Sequence, residues 1–195
     1  MRNIYMLYSI GFNDRKYPAT IKSKHTREYV FWSGFLSRSY SENTKNNQPS
    51  YRHCSVSENF KSYSYFYEWC QNQIGFNSGF DLDKDLIVKG NKIYGEEFCV
   101  FLPSEINRAL CKNDKGRGGL PIGVFYNKKS KKFESRVRRN SNPIYIGSFD
   151  SEIDAFNSYK FEKESYLKYL ANKYAGLIDE RAYNALINYS VSICD

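Results

Sequence analysis

The side chains best suited to chemistry concentrate between residues 81 and 107. Asp81, Asp83 and Asp85 alternate, with Lys84 among them, and Asn91 and Asn107 follow. Successive side chains of a strand point to opposite faces, so an Asp-x-Asp-x-Asp strand sets three carboxylates on one face. Such a row could hold Mg2+ through oxygen ligands. The same acids could instead pair with Lys84, Lys89 and Lys92, or merely flank a strand. Imidazole chemistry has little to draw on, because His25 and His53 are the two histidines and neither sits at metal-ligand spacing from two cysteines. The cysteines are Cys54, Cys70, Cys99, Cys111 and Cys194. An odd count without a Cys-x-x-Cys pair argues against a disulfide framework and against a zinc ribbon.

A second concentration is electrostatic. Lys115, Arg117, Lys128, Lys129, Lys131, Lys132, Arg136, Arg138 and Arg139 face Glu134 alone between residues 115 and 142, which accounts for the whole formal charge of +8. The rest of the chain is neutral. A cationic stretch of this density is the footprint of a phosphate-binding surface, or else a solubilising, solvated loop.

These residues need elements to position them. The chain has 195 residues, 41% of them apolar, with 18 Tyr and 14 Phe. That suffices for one domain or two small ones with aromatic cores. Residues 3–12 read as a strand. Tyr29, Trp32, Phe35 and Leu36 predict a helix over 27–40, and the polar run 41–50 predicts a loop. Phe60, Tyr63, Phe66, Tyr67 and Cys70 predict a second helix over 59–74. Short strands at 81–85 and 98–102 follow, with a turn at 89–92 and a helix from Ser104. Residues 112–119, with three Gly, four charges and no apolar side chain, read as a linker. Three strand-sized runs then occupy 122–126, 133–139 and 144–149. A long helix spans 151–174, its apolar stripe including Ile153 and the stems of Lys160 and Lys163. Gly176 ends it, and a last short helix covers 179–189. The expected fold class is α+β. Residues 1–111 form a domain of helices and short strands, and residues 120–195 a three-stranded antiparallel sheet packed on a long helix.

Alternation in the last three strands sends Val124, Phe133, Ser135, Val137, Ile144 and Ile146 towards the covering helix. It leaves Phe125, Asn127, Arg136, Arg138 and Tyr145 on an open face. Such a face can enter the major groove, where arginine reads guanine through a bidentate fork. Lys128, Lys129, Lys131 and Lys132 in the first turn would meet phosphates. In the bland alternative, Arg136 pairs with Glu134 and Tyr145 shields the sheet.

The run from Gly123 to Lys163 resembles the AP-two (APETALA-two-type) DNA-binding domain of plant transcription factors and phage endonucleases. Gly123-Val124, Phe133 to Arg138, Ile146-Gly147-Ser148-Phe149, Ala155, Phe156 and Tyr159 carry the likeness. It implies DNA contacts by Phe125, Arg136, Arg138 and Tyr145; alternation and the concentration of charge add Asn127, Lys128, Lys129, Lys131, Lys132 and Arg139 to the expected DNA-binding set. Arg136 stands where the family has an acid. The run from Leu82 to Asn107 resembles the ββα-metal segment of phage HNH endonucleases. That likeness implies catalytic positions at Asp83, Lys84, Asn91 and Asn107, with a divalent metal (Mg2+) on Asp83 and Asn107, to which the carboxylate row adds Asp85 as an expected ligand. Lys84 stands where the family has its histidine general base, and an ammonium protonated at neutral pH does not accept a proton.

The expected function is therefore selective duplex-DNA binding by a descendant of an HNH/AP-two homing-type nuclease, with weak or absent cleavage. An active Mg2+-dependent endonuclease is one alternative, and a phage effector that binds a host protein is another. No apolar run approaches a membrane span, and the N-terminus carries no small-residue cleavage site. The expected compartment is a reducing cytoplasm, with the protein a monomer or homodimer.

Overall fold

The computed structural model describes residues 5–112, 118–140 and 142–195. Lys115, Arg117 and most of the expected linker lie outside them. The chain divides into two compact units, Met1–Leu102 and Pro103–Asp195. The fold is mixed α and β.

The first unit opens with a hairpin, not a single strand. Strand β1 (Tyr5–Leu7) pairs with β2 (Gly11–Asn13), and Tyr8 and Ser9 make the turn with positive φ. A Cβ on Gly11 would lie 2.2 Å from Leu36 and 2.9 Å from Trp32, so glycine lets β2 touch the core. A second small hairpin joins β3 (Thr20–Ile21) to β4 (Lys24–His25). Helix α1 (Arg27–Tyr40) starts where the Thr26 side chain accepts the Tyr29 amide, satisfying one of the orphan donors of the first turn. The polar run expected as a loop forms a six-residue helix, α2 (Glu42–Asn47). Ser41 caps it, and Glu42 pairs with Lys45. Local capping outweighs the loop-like composition there, with no buried side chain required.

Strand β5 (Ser55–Val56) follows, and a 3-10 turn at Asn59–Lys61 precedes α3 (Tyr63–Gln71). Ser62 caps α3 and splits what reads in sequence as one helix. Strand β6 (Asp81–Asp83) is antiparallel to β8 (Val100–Leu102), while β7 (Ile93–Tyr94) runs parallel to β5. Trp32, Phe35, Phe60, Tyr63, Phe66 and Phe101 are fully buried at the centre of the unit. The Trp32 indole donates to the Phe60 carbonyl at 3.0 Å, so its one polar atom is satisfied in the core.

The second unit begins with α4 (Ser104–Leu110), Pro103 taking the cap position without a side-chain bond. Ser104 is thus the first helical residue and not the cap. Strands β9 (Val124–Asn127), β10 (Lys132–Arg139) and β11 (Asn142–Phe149) form an antiparallel sheet with β10 central. A bulge falls between Ser135 and Arg136. Helix α5 (Glu152–Lys173) crosses the sheet. The Ser151 side chain caps it by accepting the Asp154 amide. Helix α6 (Glu180–Ile187) packs on α5. Val124, Val137, Ala155, Phe156 and Tyr159 form the core between sheet and helix. Gly123 has φ +80°, and a Cβ there would lie 2.1 Å from the Tyr159 ring. Ile153 and Ile144, both expected inside, remain half exposed.

The unit boundary corrects the expected one. Helix α4 packs on α5, and Glu105 bonds Tyr174 at 2.8 Å as well as the Lys173 ammonium. Residues 103–111 therefore belong with the sheet-bearing unit.

Candidate nucleic-acid interface and the acidic segment

The outer face of the sheet is built by alternation along β9 and β10. Glu134 lies opposite Phe125, and Arg136 opposite Tyr145. Glu134 is the pivot of this face. One carboxylate oxygen accepts Asn127 Nδ2 at 2.6 Å and the other accepts Arg136 Nη2 at 2.6 Å. Those bonds hold the Glu134 carboxyl below its usual range. The Arg136 guanidinium also lies 5.4 Å from the centre of the Phe125 ring, a cation–π distance. The bland alternative for Arg136 is thus realised, although its side chain keeps 46% of its surface exposed.

Arg138 is exposed and has no ion-pair partner among the described residues. Tyr145 and Phe125 are exposed to 56% and 43%. Asn127 has a second role, accepting the amides of Lys129 and Ser130 at 2.9 and 3.2 Å. It shapes the turn that presents Lys128, Lys129 and Lys131, all exposed. Lys132 leaves that group, pairing with Asp150 at 3.1 Å.

Arg139 corrects the expected set. The alternation that sends Arg138 outward sends Arg139 towards α5. It pairs with Glu162 at 2.5 Å and lies 5.3 Å from the Tyr166 ring centre. Its charge holds sheet to helix.

The acidic segment is a folded turn. Strand β6 ends at Asp83, so Asp85 does not continue the row of carboxylates. Asp83 Oδ2 accepts the amides of Asp85 and Leu86 at 2.9 and 2.8 Å. Burial nevertheless raises the Asp83 carboxyl above its ordinary range. Lys84 is buried, its ammonium on the Asp85 carboxylate and 3.1 Å from the Asn91 carbonyl. Asn91 donates to the carbonyls of Lys84 and Ile93, each at 2.8 Å, and accepts the Ile93 amide at 3.1 Å. Asn107 lies on α4, in the other unit.

This arrangement does not fit Mg2+. Asp83 spends an oxygen on backbone amides, and Asp85 already carries an ammonium that would repel a dication. Among the described residues, no three His, Cys, Asp or Glu side chains converge on one point. His25 bonds within its own hairpin, to Thr20 Oγ1 at 3.2 Å, and His53 is exposed.

Two features escape sequence reasoning. Lys163, whose stem was counted in the apolar stripe, is buried to its ammonium as well, donates to the Ala109 carbonyl, and has its pKa lowered by burial to about 8. Its place between Tyr159 and Tyr166 on the apolar stripe was the available signal. Arg38, inside an aromatic helix, donates to the Tyr94 hydroxyl at 3.1 Å, which no local pattern announces.

No protein-family model matches the chain, and neither a curated protein nor a solved structure matches it.

Proposed function

We propose that the second unit binds duplex DNA through the outer face of its three-stranded sheet. The reading rests on one observation. Arg138, Tyr145 and Phe125 stand exposed on a face whose opposite side α5 fills, beside a turn presenting three exposed lysines. Three strands at a spacing of about 4.8 Å form a ridge narrow enough for a major groove about 12 Å wide. The turn lysines then neutralise phosphates and set affinity and salt dependence. Arg138, unlike Arg136, is free to present its fork to a guanine edge. The AP-two likeness of residues 123–163 points to the same face.

Cleavage is not part of this function. The side chains that would perform it hold a turn together, and Lys84 is buried against Asp85.

The test is a binding titration on a selected duplex and on random duplexes. Arg138→Ala is expected to weaken selected binding by about 1–3 kcal/mol and random binding much less. Replacing Lys128, Lys129 and Lys131 by Gln should weaken both alike. Equal losses for Arg138→Ala on the two duplexes would remove the base-reading role. Loss of neither would remove the interface. Plasmid incubated with Mg2+ should stay closed; nicking abolished by Asp83→Ala would restore the nuclease.

A further inference from the structure

The first unit gathers three cations around one thiol, and a carboxylate pairs with one of them. Arg38 of α1, Lys84 after β6 and Lys92 before β7 all act electrostatically on the thiol of Cys54. Two of them share an aromatic platform. The Arg38 guanidinium lies 5.7 Å from the Tyr51 ring centre and 5.9 Å from that of Tyr94. The Lys84 ammonium lies 5.5 Å from the Tyr94 ring centre. Phe35 stacks on Tyr94 at 5.2 Å and holds the ring in place. Lys92 reaches the Ser50 carbonyl at 3.2 Å, which ties it to the segment carrying Tyr51.

Like charges gathered on one platform repel, and the more so as burial lowers the local dielectric. The cation–π attraction offsets part of that cost. Asp85 answers Lys84, and the neighbouring Asp83 is engaged by two backbone amides. Arg38 and Lys92 have no carboxylate partner among the described residues. The Tyr94 hydroxyl takes one guanidinium donor, out of the five such a group carries. Counting both acids, the cluster keeps an excess positive charge.

We propose that this cluster is a phosphate-binding site, in which Arg38 and Lys92 bond the oxyanion and buried Lys84 supplies a fixed positive potential. A planar fork matches the tetrahedral oxyanion geometry, and a mobile ammonium completes the clamp. The site is independent of the sheet in the second unit. Its occupant is a phosphate group, either free or in a nucleic-acid backbone.

The full-length chain is titrated with inorganic phosphate at constant ionic strength, and binding is followed by 31P line broadening. Saturable binding is expected, weakened at least tenfold by Lys92→Gln and by Arg38→Gln. It should be unchanged when Lys128, Lys129 and Lys131 are all replaced by Gln. Lys92 is exposed, so its variant keeps the test decisive should Arg38→Gln fail to fold. A short duplex is then added to the triple-Gln protein. Release of bound phosphate identifies a nucleic-acid backbone as the occupant, and retention identifies a small phosphate compound; both outcomes support the site. Binding that never saturates, or that survives Lys92→Gln, overturns it. So does binding that vanishes in the triple-Gln protein.

Discussion

Glu134 decides how much of the cationic face is available. It holds Asn127 and Arg136 at once, so one of the outward arginines is neutralised before any ligand arrives. Glu134→Gln should free Arg136 and raise duplex affinity several-fold, with a steeper salt dependence, measured by fluorescence anisotropy at several salt concentrations. Unchanged affinity would mean that Arg136 takes no part. Asn91 is the corresponding residue of the acidic turn. Its amide makes three bonds across that turn. Asn91→Ala should destabilise the first unit by about 2–3 kcal/mol, at roughly 1 kcal/mol for each bond lost, seen as a lower urea midpoint. A mutation without effect on stability would deny Asn91 its structural role.

At the scale of elements, two contacts tie α5 to its neighbours in the second unit. Gly123 lets β9 approach Tyr159 so closely that any Cβ collides with the ring, and its φ of +80° disfavours other residues. Gly123→Ala should cost about 2–4 kcal/mol through overpacking and backbone strain, detectable by thermal unfolding. Lys163 joins α5 to the end of α4. Burial lowers its pKa from 10.5 to about 8, so between those values the unfolded chain binds more protons than the folded one. Stability contributed by this group therefore rises with pH across that window, and is at its low plateau below it. Buried thiols and phenols oppose this trend. Cys99 and Tyr63 are both pushed up to about 12 by burial, and such groups lose stability as pH rises through their unfolded values. The difference between wild type and Lys163→Met isolates the lysine. It should shrink as pH climbs from 8 to 10.5, and a pH-independent difference would place the Lys163 charge outside the core.

At the scale of the molecule, the positive charge is unevenly placed, and its effect on binding is a salt slope. Each phosphate contact contributes about −0.9 to the slope of log K against log salt concentration. Replacing Lys128, Lys129 and Lys131 by Gln should therefore reduce the slope by roughly 2.7, whereas Arg138→Ala should leave it nearly unchanged relative to its effect on sequence preference. A turn variant with the wild-type slope would move the phosphate contacts elsewhere. Among the described residues, no helix is long and apolar enough to cross a membrane.

The strand runs of the second unit, the long helix and the aromatic helix α1 are legible in the chain because each follows from local periodicity. Val124, Val137 and Tyr159 are buried where alternation and helical spacing place them. The same periodicity splits Arg138 from Arg139. The acidic row was legible as composition only. Where the backbone turns decides what Asp83, Lys84 and Asn91 meet, and in the folded chain all three bond backbone groups of the turn. Burial of the Lys163 ammonium against the Ala109 carbonyl and the meeting of Arg38 with Lys84 on one tyrosine are long-range events. They arise from packing between elements distant in sequence, which no window of residues encodes.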